Sequence, residues 1–277
     1  MRNLILLALV LIGCKSELRI LNQKESQNLV LNGDKKFLFA EYVNKDFLPL
    51  NQNEKKKLNQ NKLYRTFQVN DEGRVENVIV NEIKNVEQRI NELILINYVD
   101  GNPIDKYSNM EINCTALNID SISQMAFFKD QEARRESETS KQLLEVDDFN
   151  QNNIIPILIK CGWPTNSSNV NQLWYIVQHS DIGLHCYFYD DLTNLKNKGL
   201  LEDSLYAKTV DRILTRSGIP QIYGTQSSGG GEIKSFHPIQ DARNVNQRRK
   251  EMGLCPIEQK ARSWGFEFIL EDYLENE

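Results

Sequence analysis

Histidine is scarce in this chain: three in 277 residues, at positions 179, 185 and 237. No His-Glu-x-x-His stretch occurs. His179 and His185 are six apart, which does not align them on one helix face to share a metal. Cysteine is sparse too, five in all, and no Cys-x-x-Cys or Cys/His pair has the spacing of a zinc site. A Gly-x-Ser-x-Gly nucleophile elbow is absent. The glycine-rich stretch Ser227–Lys234 lacks a Gly-Lys-Ser/Thr ending and a preceding strand, so it reads as a flexible loop, not a phosphate cradle. Positive charge is not in excess either. Lys plus Arg total 33 against 38 Asp plus Glu, a net charge of −5, which leaves no electrostatic footprint for nucleic acid. The four lysines of Asn51–Lys62 have no aromatic residues between them for bases to stack on. These absences predict no metal, no cofactor and no nucleic-acid partner. What is present, 40% hydrophobic and 26% charged residues, excludes a disordered chain and a multi-span membrane protein. The length suffices for one large or two modest domains with a real core.

The N-terminus carries the sharpest signal. Arg2 precedes a nine-residue apolar run, Leu4–Ile12, short of the roughly 20 residues a spanning helix needs but suited to the core of a secretory signal. Leu11-Ile12-Gly13-Cys14 resembles the lipobox of bacterial lipoproteins. The resemblance implies cleavage of residues 1–13, lipidation of Cys14 and anchoring to a membrane by several acyl chains. Lys15 after the cysteine favours, by the same resemblance, the outer membrane and a periplasm-facing protein. Cys114, Cys161, Cys186 and Cys255 then stand in an oxidising compartment. Four cysteines allow three pairings, and separate buried thiols are an equal alternative.

The rest reads as an α+β protein: a small hairpin–helix–strand module over 35–118, then a mainly α-helical domain over 119–277. Residues 14–34 are read as the lipidated cysteine and a polar tether. Leu63–Val80 forms a hairpin about Asn70-Asp71-Glu72-Gly73, Asn85–Tyr98 a helix, and Tyr107–Leu117 an alternating strand. The order hairpin, helix, turn, strand, with Val69-Asn70-Asp71-Glu72-Gly73-Arg74-Val75, resembles the C-terminal domain of TonB-type envelope proteins and implies an interaction module. Helical patterns follow over Ser121–Leu144, Ile154–Cys161, Val170–Ser180, Ile182–Asn197, Asp203–Arg216, Val245–Met252 and Pro256–Leu274. Gly162, Gly199, Gly218 and Gly253 stand where helices should stop. Asp130 and Arg134 form a favourable i,i+4 pair.

Six blocks stand out in this second half: Phe127–Arg135, Gly162-Trp163-Pro164-Thr165, Gln178-His179-Ser180-Asp181, Thr209–Leu214, Gly218–Gln226 and Arg248–Leu254. In order and spacing they resemble the bacterial domain-of-unknown-function family numbered 6624, over about residues 120–265. That family supplies no activity. Here Cys161 stands where a His or Tyr is usual, and Ser227–Lys234 lengthens the loop after Gln226.

The candidate chemistry centres on His179, histidine being the side chain best suited to proton transfer near neutral pH. Asp181 is placed to orient it, and Asp211 or Tyr223 to complete a constellation. Trp163, Thr165, Thr225 and Gln226 are candidates for a small polar ligand, and Arg212 for an anionic one. The expectation is a polar cleft where the Trp163–Thr165 and Tyr223–Gln226 loops meet His179, hydrolysing that ligand with His179 as general base. The alternative is a non-catalytic scaffold that contacts other envelope proteins, in which His179 caps a helix and Asp211 and Arg212 are structural.

Overall fold

The structure is a computed structural model, and it describes residues 18–32, 40–59, 62–99, 101–136, 140–228 and 235–276. Cys14 and the signal segment lie outside the described residues. The chain separates into two compact units, Met1–Gln88 and Arg89–Glu277.

The first unit holds a four-stranded sheet in the order β1-β3-β4-β2. Strands β3 (Leu63–Val69) and β4 (Val75–Glu82) form the expected antiparallel hairpin. Asn70 closes it: its side-chain oxygen accepts from the amides of Glu72 and Arg74, both at 3.0 Å. Gly73 takes the positive φ of 75° that the turn needs. Strand β1 (Arg19–Ile20) pairs antiparallel with β3, and β2 (Glu41–Val43) pairs parallel with β4. The tether reading of 14–34 is corrected here. Residues 19–31 supply β1 and helix α1 (Gln23–Leu31), whose start is fixed by reciprocal bonds between Asn22 and Glu25. The polar run from Asn51 is helix α2 (Gln52–Asn59), capped the same way by Asn51 and Glu54. Its Leu58 packs against buried Leu50, Leu63 and Val80.

Helix α3 (Val86–Val99) crosses the division between the units. Tyr107–Leu117 is not a strand: it makes two short 3-10 turns, Asp105–Tyr107 and Cys114–Ala116. Two tertiary ties outweigh its alternating pattern. Tyr107 is buried in the helical core, and Cys114 is disulfide-bonded to Cys161, with Cα atoms 5.5 Å apart. Cys186 is a buried free thiol and Cys255 an exposed one.

Beyond Asn118 the second unit is mainly helical: α4 (Ile119–Glu136), α5 (Ser140–Asn153), α6 (Ile155–Cys161), α7 (Ser167–Gln178), α8 (Ile182–Asn197) and α9 (Asp203–Arg216). Pro156 sits in the first turn of α6, where no backbone donor is lost. Asn166 caps α7 by accepting from the Asn169 amide at 2.9 Å. The shared core is built on Trp174, Phe188, Ile155, Leu184 and Leu192, all 1% exposed or less. The Trp174 indole donates to Thr209 on α9 at 2.8 Å, so this large ring is buried without an orphaned N–H. A second cluster joins the two-stranded pair β5 (Ser227–Ser228) and β6 (Ser235–Phe236) to helices α10 (Val245–Glu251) and α11 (Ile257–Ser263) through Phe236, Ile239, Val245, Ile257 and Tyr273.

Candidate functional site

Helix α9 carries two neighbouring charges that point to different surroundings. Asp211 is fully buried. Its carboxylate accepts from the backbone amides of Ile222, Tyr223 and Thr225 and from the Thr225 hydroxyl, at 2.8 to 3.2 Å. Burial pushes its pKa up, and these donors pull against that rise. On the other side of the same loop, Arg249, 1% exposed, donates to the carbonyls of Tyr223 and Gly224. Arg248 donates to the Ile222 carbonyl at 3.0 Å. The loop is thus held by its amides through Asp211 and by its carbonyls through two arginines. Gly224, at φ 65°, presses so closely on Ile257 that a Cβ there would lie 2.6 Å from Ile257 Cδ1. Gln226 bonds to Thr225 Oγ1 at 3.1 Å, and buried Gln221 ties the Gln226 carbonyl to that of His237. Tyr223 has its hydroxyl pushed up to about 12 by burial and by Asp211. A carboxylate with four donors from its own chain is a cross-link, and that is the role the geometry gives Asp211.

His179 belongs to a different cluster. It is the residue after α7, and its Nδ1 lies 3.0 Å from both oxygens of Asp130 on α4. Asp130 has no exposed side-chain surface, and it also receives Arg134 and the Gln131 amide. Arg134 bridges onward to Asp147 on α5. Burial pushes the Asp130 carboxyl up, but the hydrogen bonds from His179 and Arg134 and the positive charge beside it outweigh burial and hold it below the ordinary range. Burial pushes Asp147 the other way, upward, with Asp130 adding to the rise. Two neighbouring carboxyls whose affinities for protons are driven apart suit separate acid and base duties.

Arg134 Nε is 2.8 Å from the same Nδ1, so this ring nitrogen has both a carboxylate and a guanidinium beside it. Arg134 Nε donates toward Nδ1, while the Asp130 carboxylate draws a proton onto it; in the tautomer that Asp130 favours, with the proton on Nδ1, the Nε2 lone pair is free. Nε2 has no hydrogen-bond partner among the described residues, and the side chain is 19% exposed. The arrangement is therefore that of a base oriented by a buried carboxylate and open to solvent.

Asp181, expected to orient His179, instead stands at the N-cap of α8. Its side chain makes no capping bond there, while its carbonyl accepts from His185 Nδ1 at 3.1 Å. Burial and the neighbouring Arg212 and Arg216 push His185 down to about 4, so it is neutral. Trp163 packs edge-on against Phe188 with centroids 5.6 Å apart, as part of the core margin. Thr165 is exposed in the same turn. Among the described residues, no hydrogen bond, ion pair or ring contact joins His179 to the Trp163–Thr165 or Tyr223–Gln226 loop. The single cleft expected from sequence resolves into two clusters, one about Asp211 on α9 and one about His179, with α9 reaching the end of α7 through Arg212. The link is Gln178. In the amide orientation that satisfies both groups, its oxygen accepts from Arg212 Nε at 2.8 Å and Nη2 at 3.1 Å.

Sequence reasoning missed Asp130, Arg134 and Asp147 as partners of His179. Asp130 and Arg134 were visible as an i,i+4 pair, but nothing local reveals a partner 49 residues away. Among the described residues, no group of three His, Cys, Asp or Glu side chains is placed to hold a metal ion, and no helix is long and apolar enough to cross a membrane. In the first unit, a cavity of about 480 Å³ lies between α2 and the hairpin. Its Lys57 and Glu82 pair at 2.8 Å and neutralise each other.

Residues 118–271 match a family model described as a family of unknown function, DUF6624. No curated protein and no solved structure matches the chain.

Proposed function

The chain belongs to the family of unknown function DUF6624, a membership that assigns no activity, and from the site itself we propose that its helical unit binds a small polar ligand and hydrolyses it with His179 as general base. The observation that carries this reading is the placement of His179 Nδ1 3.0 Å from buried Asp130, with Nε2 unpartnered and the ring partly exposed. Asp130 orients the ring, and Arg134 fixes Asp130. In the same proposal the protein is a lipoprotein of the bacterial envelope, held by Cys14 and facing the periplasm from the outer membrane. The Cys114–Cys161 disulfide supports an oxidising compartment, which agrees with the lipobox-like residues 11–14.

The test uses the full chain in detergent, screened by thermal shift and by product release against small polar esters and amides. The His179→Ala variant should lose about 10²- to 10⁴-fold in turnover of any substrate found. Equal turnover by both proteins would sink the assignment. The anchor is checked separately: Cys14→Ser should abolish lipid labelling and release the protein from membranes, and a wild type without lipid refutes it.

A second reading, a non-catalytic envelope scaffold, draws on the exposed apolar side chains of Met125 and Phe128 on α4 and of Leu144 and Phe149 on α5. It predicts that Phe128→Ser removes partner capture while His179→Ala leaves it intact.

A further inference from the structure

Arg212 is mostly shielded from solvent, yet no carboxylate pairs with it among the described residues. Its partner is the neutral amide of Gln178, which occupies the Nε–Nη2 edge and leaves Nη1 and one Nη2 hydrogen free. A buried charge without a counter-charge is costly, so a guanidinium left in this state marks a place where an anion would be held. Arg216, the last residue of α9, lies one turn on, so the two side chains share a helix face. It too has no ion pair among the described residues. Burial lowers the proton affinity of Arg212, and like charge from Arg216 and Arg134 adds to the fall. Arg134 is already matched by Asp130 and Asp147. His185, held down to about 4 by burial, is neutral and neutralises nothing. Two guanidinium groups therefore remain with charge to offer, and Arg212 is bonded to Gln178, the chain neighbour of His179.

We propose that Arg212 and Arg216 form a phosphate subsite beside His179, and that the ligand of this site is a phosphomonoester. One arginine fork saturates the two oxygens of a carboxylate, whereas two forks from one helix face match the three free oxygens of a phosphate ester. The inference rests on the proposed reading of His179 for the site's location. Phosphate binding itself needs only the arginines, so the two can fail separately.

The experiment is calorimetric titration of the full chain in detergent with inorganic phosphate at low ionic strength, with acetate as comparison. Wild type should bind phosphate saturably and more tightly than acetate. Arg212→Gln should weaken binding by about tenfold or more, the loss expected for a charge-assisted hydrogen bond. Arg216→Gln changes an exposed residue and so keeps the test valid if Arg212→Gln fails to fold; it should weaken binding roughly three- to tenfold. His179→Ala should bind phosphate within about threefold of wild type, because its part is proton transfer. Absence of saturable phosphate binding overturns the proposal. So does wild-type affinity in the Arg216→Gln variant, and so does acetate binding as tight as phosphate. If phosphate binds as expected while His179→Ala hydrolyses substrate normally, the subsite stands and the base assignment falls.

Discussion

A fully buried histidine is costly to charge, and His185, with Nδ1 on the Asp181 carbonyl and Nε2 unpartnered among the described residues, is in that state. Its folded pKa of about 4 lies below the ordinary 6.5, so on acidification the unfolded chain takes up the proton first. Stability is complete above pH 6.5 and falls as pH drops from 6.5 toward 4, by on the order of 3 kcal/mol. Urea midpoints at pH 7 and 4.5 should show this loss, and His185→Gln should remove much of it; an unchanged pH dependence in the variant would show that other groups carry it. At the same scale, the pairing of His179 with a carboxylate was hidden in sequence. Asp181 is two residues away and sequence proximity favoured it, but its place at the start of α8 turns the backbone there, and Asp130 arrives from another helix. The adjacency of Asp211 and Arg212 was legible; that one faces inward to a loop and the other toward Gln178 was not, because it depends on how α9 is docked.

Among the elements, those bounded by strong local signals came through. Helices α8 and α9 run as the apolar spacing predicts, with Gly199 and Gly218 just past their ends at φ 69° and 71°. The hairpin about Gly73 is equally local. Segments whose conformation is imposed from afar did not come through: Tyr107–Leu117 is bent by a disulfide and a buried tyrosine, and β1 exists only by pairing with β3. The loop between α9 and β5 belongs to neither class, since its own residues and four distant side chains fix it together. Gly224→Ala tests it. The new methyl would strain the left-handed backbone and collide with Ile257, so we expect a loss of roughly 2–4 kcal/mol in chemical denaturation, with α9 and the phosphate subsite affected only through the loop. A loss below 0.5 kcal/mol would mean that the loop yields easily and that its clamps matter little.

For the molecule as a whole, the compact division at Gln88 and the start of the family match at residue 118 do not coincide. Residues 89–117 belong to the helical unit without belonging to the matched region. They are bound to it by the Cys114–Cys161 bridge, by buried Tyr107 and by Lys160 donating to the Ser108 carbonyl at 2.9 Å. A disulfide over a separation of 47 residues contributes about 4 kcal/mol. A fragment spanning 89–277 should therefore melt roughly 10 °C above one spanning 118–277, and reduction should close most of that gap. Equal melting temperatures under oxidising conditions would show that residues 89–117 are dispensable.

The amide at position 178 has a consequence of its own. Glutamine and glutamate have the same shape, and one atom separates them. With an oxygen in place of the amide nitrogen, the bond to Arg212 becomes an ion pair, and the charge of that guanidinium is matched before any visitor arrives. The residue beside the histidine would thus act as a valve on the charge that Arg212 presents, and a single-nucleotide change is enough to shut it.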